Sequence, residues 1–464
     1  MKLKTTFITL NDGTQICAPA DRTLMTNFIL QEQGDWFEDE IGFVRSYIKP
    51  GMYALDIGAN YGLYSTAIAN SLKGEGMLWC FEPTQNTADA LRQTIEKNKL
   101  GSSVELIQAG LSDHIGQATF FTSPNAELNS LTATQSTTGE KQTIELLTLD
   151  DCQAKYQWEQ LDFIKLDAEG EEVNILKRAE QTLASCSPLI MFELKHGSQI
   201  NTELIGAFNH LGYKPYYLVP GLNALTPLDT TKPVDPFQLN LFCCKDNTAD
   251  KLVKDGYLVK ESSPLPARNS DAAKIFFKQF EFSNGIVLNA SSEPNAAQQD
   301  YLQAFNAYAC ARSSESSNEQ RLGHLVFAFE IVKKVLSTGE RKIERLSTFA
   351  RIAYDIGQRN IGNQIIGYIL QKYLQKATPF TISEPFVPPG SEFESISPDG
   401  RIEDWLRAAA LDQFIRKQAF SCYFTNAKQL LQYFDVLTRM NFLHPDMQQR
   451  KKVTIAKERV RHRS

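Results

Sequence analysis

Four acidic residues each close a short apolar run: Asp56 ends YALD, Glu82 ends MLWCFE, Asp167 ends FIKLD and Glu193 ends LIMFE. A carboxylate in such a place can bind an organic cation, accept bonds from hydroxyls, take a proton as a general base, or ligate a divalent metal. Singly, each reads as a solvated strand terminus or a helix cap; jointly they resist that reading. Between Asp56 and the next helix-like segment runs a turn containing Gly58, Asn60 and Gly62. Asn is the non-glycine residue that best tolerates a left-handed backbone, so the turn is tight and its glycines admit close approach. His196 follows Glu193 on the same exit segment and is a further proton acceptor.

The elements that must position these groups follow from periodicity. From about Met52 to Cys244 short apolar runs alternate with helix-period segments, which predicts a mostly parallel sheet with helices on both faces. The runs ATFFTS and QTIELLTL, around a Ser/Thr-rich loop, read as a two-stranded insertion. In front of this body, TFITLNDGTQICA alternates about Asn11-Asp12-Gly13 and predicts an exposed β-hairpin within residues 1–35. The α/β body is placed at 36–245 and a Ser/Pro/Asn-rich linker region at 246–300. Residues 301–464 are read as an all-α domain, in which YLQAFNAYACAR, LGHLVFAFEIVKKVL, RLSTFARIAYDIGQR and IGNQIIGYILQKYL are amphipathic helices joined by short turns. Ala350, Ala353 and Gly357 hint at a helical-repeat pair there, against a plain bundle. The Pro-rich stretch SEPFVPPGSEFESISPDG reads as a loop before a last helical block near Arg401.

Bulk properties narrow the function classes. A length of 464 residues and a formal net charge of -6 fit a multi-domain globular protein without a broad positive field, so nucleic acid is not an expected partner. The basic tail from Arg450 to Arg463 reads as a solvated helix end. Eight cysteines and six histidines are scattered without metal-ligand spacing. With no secretory leader and no apolar run of spanning length, a cytoplasmic setting is the expectation.

The turn misses the third glycine of the dinucleotide fingerprint and lacks the Lys-Ser/Thr of a phosphate loop, so a pyrophosphate is disfavoured. In an open α/β sheet the ligand lies outside the carboxyl ends of the strands, where strand order reverses. Acids there suit an organic cation, and Glu82 stands where a ribose-binding acid is expected. An adenosyl group with positive charge points to S-adenosylmethionine, its ammonium and sulfonium near Asp56 and the Gly58–Gly62 turn.

KPGMYALDIGANYGLYS, CFEPTQN, LTLDD, LDFIKLDAEGEEVNILKRA and PLIMFEL together resemble the FkbM-type methyltransferases over roughly residues 36–244. The Lys-x-Asp-x-Glu-Gly run from Lys165 to Gly170 is the most particular part. The resemblance implies a Rossmann-like methyltransferase sheet of about seven strands. It also implies methyl transfer from S-adenosylmethionine, usually to a hydroxyl of a sugar, glycolipid or natural product. The helical C-terminal half lies outside it; shaping an acceptor groove, oligomerisation and protein docking stay open for that half.

An alcohol needs a base, and Asp167 is the first choice, with Glu193, His196 and Glu169 in reserve. A Mg ion held by Asp167, Glu169 and Glu193 is the less favoured alternative. Glu169 can instead cap the helix running from Glu171, and Lys165 can pair with an acid or reach solvent. For the adenine, QAGLSD forms a wall, with Ala109 and Leu111 against the ring and Asp113 near its amino group; Asp113 is alternatively a turn residue before Gly116. Tyr64 is read as core and Tyr61 as bordering the ligand. The competing classes are an N- or protein methyltransferase and a non-catalytic scaffold that binds partners through its helical half.

Overall fold

The computed structural model describes residues 4–121, 141–196, 199–200, 202–263, 272–284, 286, 288 and 295–461. The Ser/Thr-rich loop predicted before QTIELLTL and most of the Ser/Pro/Asn-rich passages lie outside them. The chain divides into two compact units, the first formed by residues 1–218, 225–230 and 238–258, the second by 219–224, 231–237 and 259–464.

In the first unit, β1 (Thr5–Thr9) and β2 (Gln15–Pro19) form an antiparallel hairpin, and helices α1 (Met25–Gln33) and α2 (Glu40–Tyr47) follow. Next come β3 (Tyr53–Ile57), α3 (Leu63–Leu72), β4 (Met77–Phe81), α4 (Gln85–Lys97) and β5 (Val104–Ile107). The insertion holds β6 (Gly110–Leu111), β7 (Gly116–Phe121) and β8 (Lys141–Leu147), three strands in the order β6-β8-β7 rather than the two expected. Then follow α5 (Leu149–Tyr156), β9 (Phe163–Leu166), α6 (Glu172–Leu176), α7 (Glu180–Cys186), β10 (Leu189–Glu193) and the short pair β11 (Lys195–His196) and β12 (Gln199–Ile200). The unit closes with α8 (Thr202–His210), β13 (Lys214–Val219), β14 (Ala224–Pro227), β15 (Asn240–Cys244) and α9 (Asp246–Lys254).

The central sheet has eight strands in the order β14-β13-β15-β10-β9-β3-β4-β5, one more than the resemblance implied, because β14 adds an edge. The run β10-β9-β3-β4-β5 is parallel, and β15 is antiparallel to both β10 and β13. From β3 the chain winds outward to β4 and β5, and β9 then starts the other way, so strand order reverses between β3 and β9. Both faces are covered: consecutive residues Ala54, Leu55 and Asp56 are all fully buried, although they point alternately to opposite faces. One face packs Phe43, Tyr47 and Ile68 against Ala54, Leu78, Phe163 and Phe242. On the other, Phe192 meets Phe208 of α8 at 4.7 Å between ring centroids.

The hairpin is not the exposed flap the alternation suggested. Ile16, Cys17 and Ala18 are fully buried and cluster with Tyr61 and Ala90. Helix α4 also ties it down, since Cys17 N donates to Thr94 Oγ1 (3.0 Å) and Gln15 N to Asn98 Oδ1 (2.9 Å). Three consecutive apolar residues in QICAP bury as a run where an amphipathic strand would bury only alternate ones.

The second unit is helical: α10 (Ala272–Lys278), α11 (Ala296–Ala311), α12 (Asn318–Ser337), α13 (Ile343–Asp355), α14 (Arg359–Ile369), α15 (Ile402–Lys417), α16 (Ala427–Met440) and α17 (Pro445–Arg461). Each of α11 to α17 packs on the next. Asn295, Ser317 and Asn426 cap their helices, Ser317 in a reciprocal capping box with Gln320. Two expectations change here. Helix α13 is buried on every side from Ile343 to Tyr354, and residues 384–390 of the Pro-rich stretch are buried too. The polar side of α13 binds that stretch as an extended strap: Ser347 Oγ donates to Val387 O (2.6 Å), Val387 N to Thr348 Oγ1 (3.2 Å) and Ser383 N to Glu344 Oε1 (2.8 Å). A helix need not be amphipathic when a second segment satisfies its polar face.

Candidate active site

The four acids fall on four neighbouring strands, β4, β3, β9 and β10, all at their carboxyl ends. Asp56 is the penultimate residue of β3, Glu82 lies just after β4, Asp167 just after β9, and Glu193 is the last residue of β10. Asp56 and Asp167 flank the point where strand order reverses.

Asp56 is fully buried. Ser65 Oγ, one turn into α3, donates to its Oδ2 at 2.6 Å, while its Oδ1 is a buried acceptor without a hydrogen-bond partner. Lys165 is its register partner across β3 and β9, which puts both side chains on one face of the sheet, with Lys165 Nζ 3.9 Å from Asp56 Oδ1. The same ammonium donates to Asp167 Oδ2 at 2.8 Å and lies 5.1 Å from the centroid of the Tyr64 ring. Residues two apart on a strand share a face, so Lys165 and Asp167 meet by the pleat. Burial pushes the Asp56 carboxyl up from its ordinary range, against the pull of Lys165 and the Ser65 bond. For Lys165 burial alone would lower the pKa, yet the carboxylates of Asp167 and Asp56 outweigh it and the net shift is upward.

The glycine turn is built for packing as well as for access. Gly58 has φ +79°, and a Cβ there would stand 1.8 Å from Asp167 O; at Gly62, with φ +91°, it would stand 2.5 Å from Leu91 Cδ1. The close approach at Gly58 is thus made by the backbone leaving β9. Asn60 takes the left-handed conformation expected of it, φ 49°, and its side-chain Oδ1 is a second buried acceptor without a partner. The amides of Gly58 and Ala59 both donate to Phe81 O at 3.0 Å, and Asn60 N donates to Glu82 Oε2 at 3.1 Å. Amides so engaged form no anion nest, in keeping with the exclusion of a pyrophosphate.

Glu82 accepts Thr84 N (3.0 Å) and Thr84 Oγ1 (2.7 Å) on Oε1. With the Asn60 bond, three of about four acceptor positions are filled. One further hydroxyl fits directly, and a second requires Thr84 Oγ1 to turn away. Burial raises the Glu82 pKa, and the bonds from Thr84 and Asn60 oppose the rise.

Asp167 is partly exposed, 35% by side chain. Glu193 is half-buried, and burial pushes its carboxyl well up, reinforced by the negative charges of Asp167, Glu172 and Glu38. His196 lies in β11, and its side chain is outside the described residues. Glu169 is left-handed, φ 51°; Glu171 is the N-cap of α6 and makes no side-chain cap bond, while Glu172 Oε1 accepts Ala168 N (2.8 Å) and Gly170 N (3.2 Å) of the loop before the helix. Ala109 and Leu111 are buried. Asp113 is 37% exposed and pairs through Oδ1 with His114 Nδ1 at 2.7 Å. Among the described residues no group of three or more His, Cys, Asp or Glu is arranged to hold a metal ion.

Tyr64 is core as read, whereas Tyr61, read as bordering the ligand, is buried too. Tyr61 belongs to the hairpin cluster, whereas Tyr64 OH donates to Glu38 Oε2 at 2.6 Å beneath the Lys165 ammonium. Glu38 also accepts Trp36 Nε1 (3.0 Å) and Asn240 Nδ2 (3.0 Å). Burial raises its pKa, with Tyr64 and Lys165 opposing. Sequence reasoning missed Glu38, Ser65 and Glu172. Glu38 stands on an irregular segment before α2 with no periodicity to mark it, while the Lys-x-Asp spacing was a readable sign that Lys165 pairs with Asp167.

The family model described as the methyltransferase FkbM domain matches residues 56–215. Among solved structures, the chain is similar to the methyltransferase FkbM of Methylobacillus flagellatus KT, with 17% identity, 42% of this chain and 43% of that one covered, and a TM-score of 0.29. The chain thus spans less than half the length of that protein. It is also similar to a SAM-dependent methyltransferase of Aquifex aeolicus (12% identity, 46% and 90% covered, TM-score 0.26). A SAM-dependent O-methyltransferase of Thermotoga maritima is a third (10% identity, 53% and 94% covered, TM-score 0.26). No curated protein matches the chain.

Proposed function

We propose that the methyltransferase FkbM domain at residues 56–215 binds S-adenosylmethionine and methylates a hydroxyl of a sugar, glycolipid or natural product. The observation that carries this reading is the pair of buried acceptors without a hydrogen bond, Asp56 Oδ1 and Asn60 Oδ1, beside the strand-order reversal. An orphaned buried acceptor costs about 1–3 kcal/mol unless a donor arrives. Two of them in an acid-lined site fit a cationic ligand with N–H groups and repel a phosphate. In this reading Asp56 and Asn60 hold the donor's positively charged amino-acid end and Glu82 a ribose hydroxyl. Ala109 and Leu111 border the adenine, with Asp113 toward its amino group.

When bound, S-adenosylmethionine supplies a methyl group on a sulfonium that is already a good leaving group. The chain's own part is to orient the acceptor, exclude water and take the hydroxyl proton. Asp167, partly exposed at the strand-order reversal and held by Lys165, is the proposed proton acceptor, with Glu193 and His196 as alternates. The eight cysteines are not joined in disulfides, which fits the cytoplasmic setting proposed with it. The helical half is proposed to mediate oligomerisation or docking. The test is incubation with methyl-labelled S-adenosylmethionine and a panel of glycans, glycolipids, amines and peptides. Label in an ether linkage is expected; label on nitrogen would replace the hydroxyl reading with N- or protein methylation.

A further inference from the structure

Lys165 is 6% exposed, and its ammonium bridges carboxylates from two different elements: Asp167 on the loop after β9 at 2.8 Å and Asp56 on β3 at 3.9 Å. Tyr64 of α3 lies alongside it, and the Tyr64 hydroxyl is engaged by Glu38. Its register neighbours are Asp56 on one side and Met191 on the other, so Asp56 is the acid the sheet itself sets beside it. We propose that Lys165 is a positioning residue, an internal counter-ion that balances the charge of Asp56 and fixes the Asp167 carboxylate, so that Asp56 can hold a cationic donor. This rests on the reading of the domain as an S-adenosylmethionine enzyme.

The physical case is one of charge balance. The acids around this ammonium are Asp56 on β3, Asp167 after β9, Glu38 before α2, and more distantly Glu193 on β10 with Glu172 of α6. Burial already raises Asp56, Glu38 and Glu193. Take away this cation and desolvation and mutual repulsion both favour protonation. A protonated Asp56 keeps its bond to Ser65 but loses its attraction for an ammonium. Asp56 Oδ1 stays without a hydrogen bond even with Lys165 3.9 Å away, so the ammonium supplies charge there and leaves the acceptor position open.

Lys165→Met and Lys165→Arg separate this role from packing. Calorimetric titration with S-adenosylmethionine should give wild-type affinity that changes little between pH 6.5 and 8.5. In Lys165→Met the affinity should fall at least about tenfold at pH 6.5 and recover as pH rises, because a buried Asp56 without its counter-ion takes a proton more readily. Lys165→Arg, which keeps the charge, should stay within about threefold of wild type. Equal losses in both variants, or a pH-independent loss in Lys165→Met, would overturn the proposal. Melting temperatures give a readout that needs no cofactor. Without the ammonium the buried carboxyls, already raised, rise further above their unfolded values, so more stability is lost as pH climbs through that interval. The gap between Lys165→Met and wild type should therefore widen from pH 5 to pH 8, and that for Lys165→Arg should not. A Lys165→Met protein that fails to fold even at pH 5 would assign Lys165 to packing and overturn the proposal. Should wild type itself bind no donor, the cofactor reading fails alone, and the widening or constant gap still decides the counter-ion role.

Discussion

Each unit of the molecule buries an ionic cluster, and the two are built on opposite principles. In the helical unit Arg345 and Glu384 are both fully buried and form a two-bond fork, Nε to Oε2 at 2.7 Å and Nη2 to Oε1 at 2.6 Å, with Lys342 Nζ adding a third bond at 2.9 Å. Glu384 sits in the strap, so the fork fastens the strap to α13. In the α/β unit, Lys165 is outnumbered by Asp56, Asp167, Glu38 and Glu193, and Asp56 and Asn60 keep acceptors without a hydrogen bond. A cluster whose acceptors are matched by donors fixes structure. One with more acids than cations and with acceptors left open is what the proposed donor site requires.

That contrast can be broken most forcefully at the reacting end. Asp167→Asn should lower methyl transfer by roughly 10²–10⁴-fold while donor affinity stays within about threefold, read from labelled turnover and calorimetry. Undiminished transfer would remove Asp167 as the proton acceptor. The mirror-image experiment is Arg345→Ala, which leaves Glu384 buried with only Lys342 beside it. Loss of one partner of a buried pair costs about 3–5 kcal/mol, to be measured as a shift in the urea midpoint, with donor affinity unchanged. Joint replacement, Arg345→Met with Glu384→Leu, should recover much of that stability.

A smaller effect of opposite sign is expected at Glu193. Its native pKa is raised above the unfolded value by burial and by Asp167, so the native state binds the extra proton and stability falls as pH rises above the ordinary carboxylate range. Glu193→Gln should therefore raise the melting temperature more at pH 8 than at pH 5; an equal shift at both would show that the carboxyl is not held protonated. The smallest change is expected from a pair belonging to neither cluster. Lys214 and Asp246 meet at 2.7 Å with side chains 61% and 66% exposed. Lys214→Ala should cost less than about 1 kcal/mol and fade in high salt.

What the sequence yielded and what it hid divides along the same line. The acids at strand ends were legible because each closes an apolar run, and parallel strands place such ends side by side. The bond between Lys165 and Asp167 was legible in a spacing of two. The pairing of Lys165 with Asp56 was not, since it depends on the register between strands far apart in the chain. Ser65 and Glu38 carry no local signal, and the burial of Tyr61 depends on the packed hairpin, which nothing near it in the chain announces. In the helical unit the strap was read as an ordinary loop because proline and serine usually mark exposed turns. The side chains that bury it, Glu344, Ser347 and Thr348, gave α13 the look of a half-exposed helix.

The most direct test is a calorimetric titration of wild type, Asp56→Asn and Glu82→Gln with S-adenosylmethionine. Acids at the ends of β3 and β4 that jointly hold a cationic adenosyl donor predict one site per chain in wild type, weakened by at least about tenfold, near 1.4 kcal/mol, in each variant. Absence of binding to the folded wild-type protein, or equal affinity in all three, would contradict it.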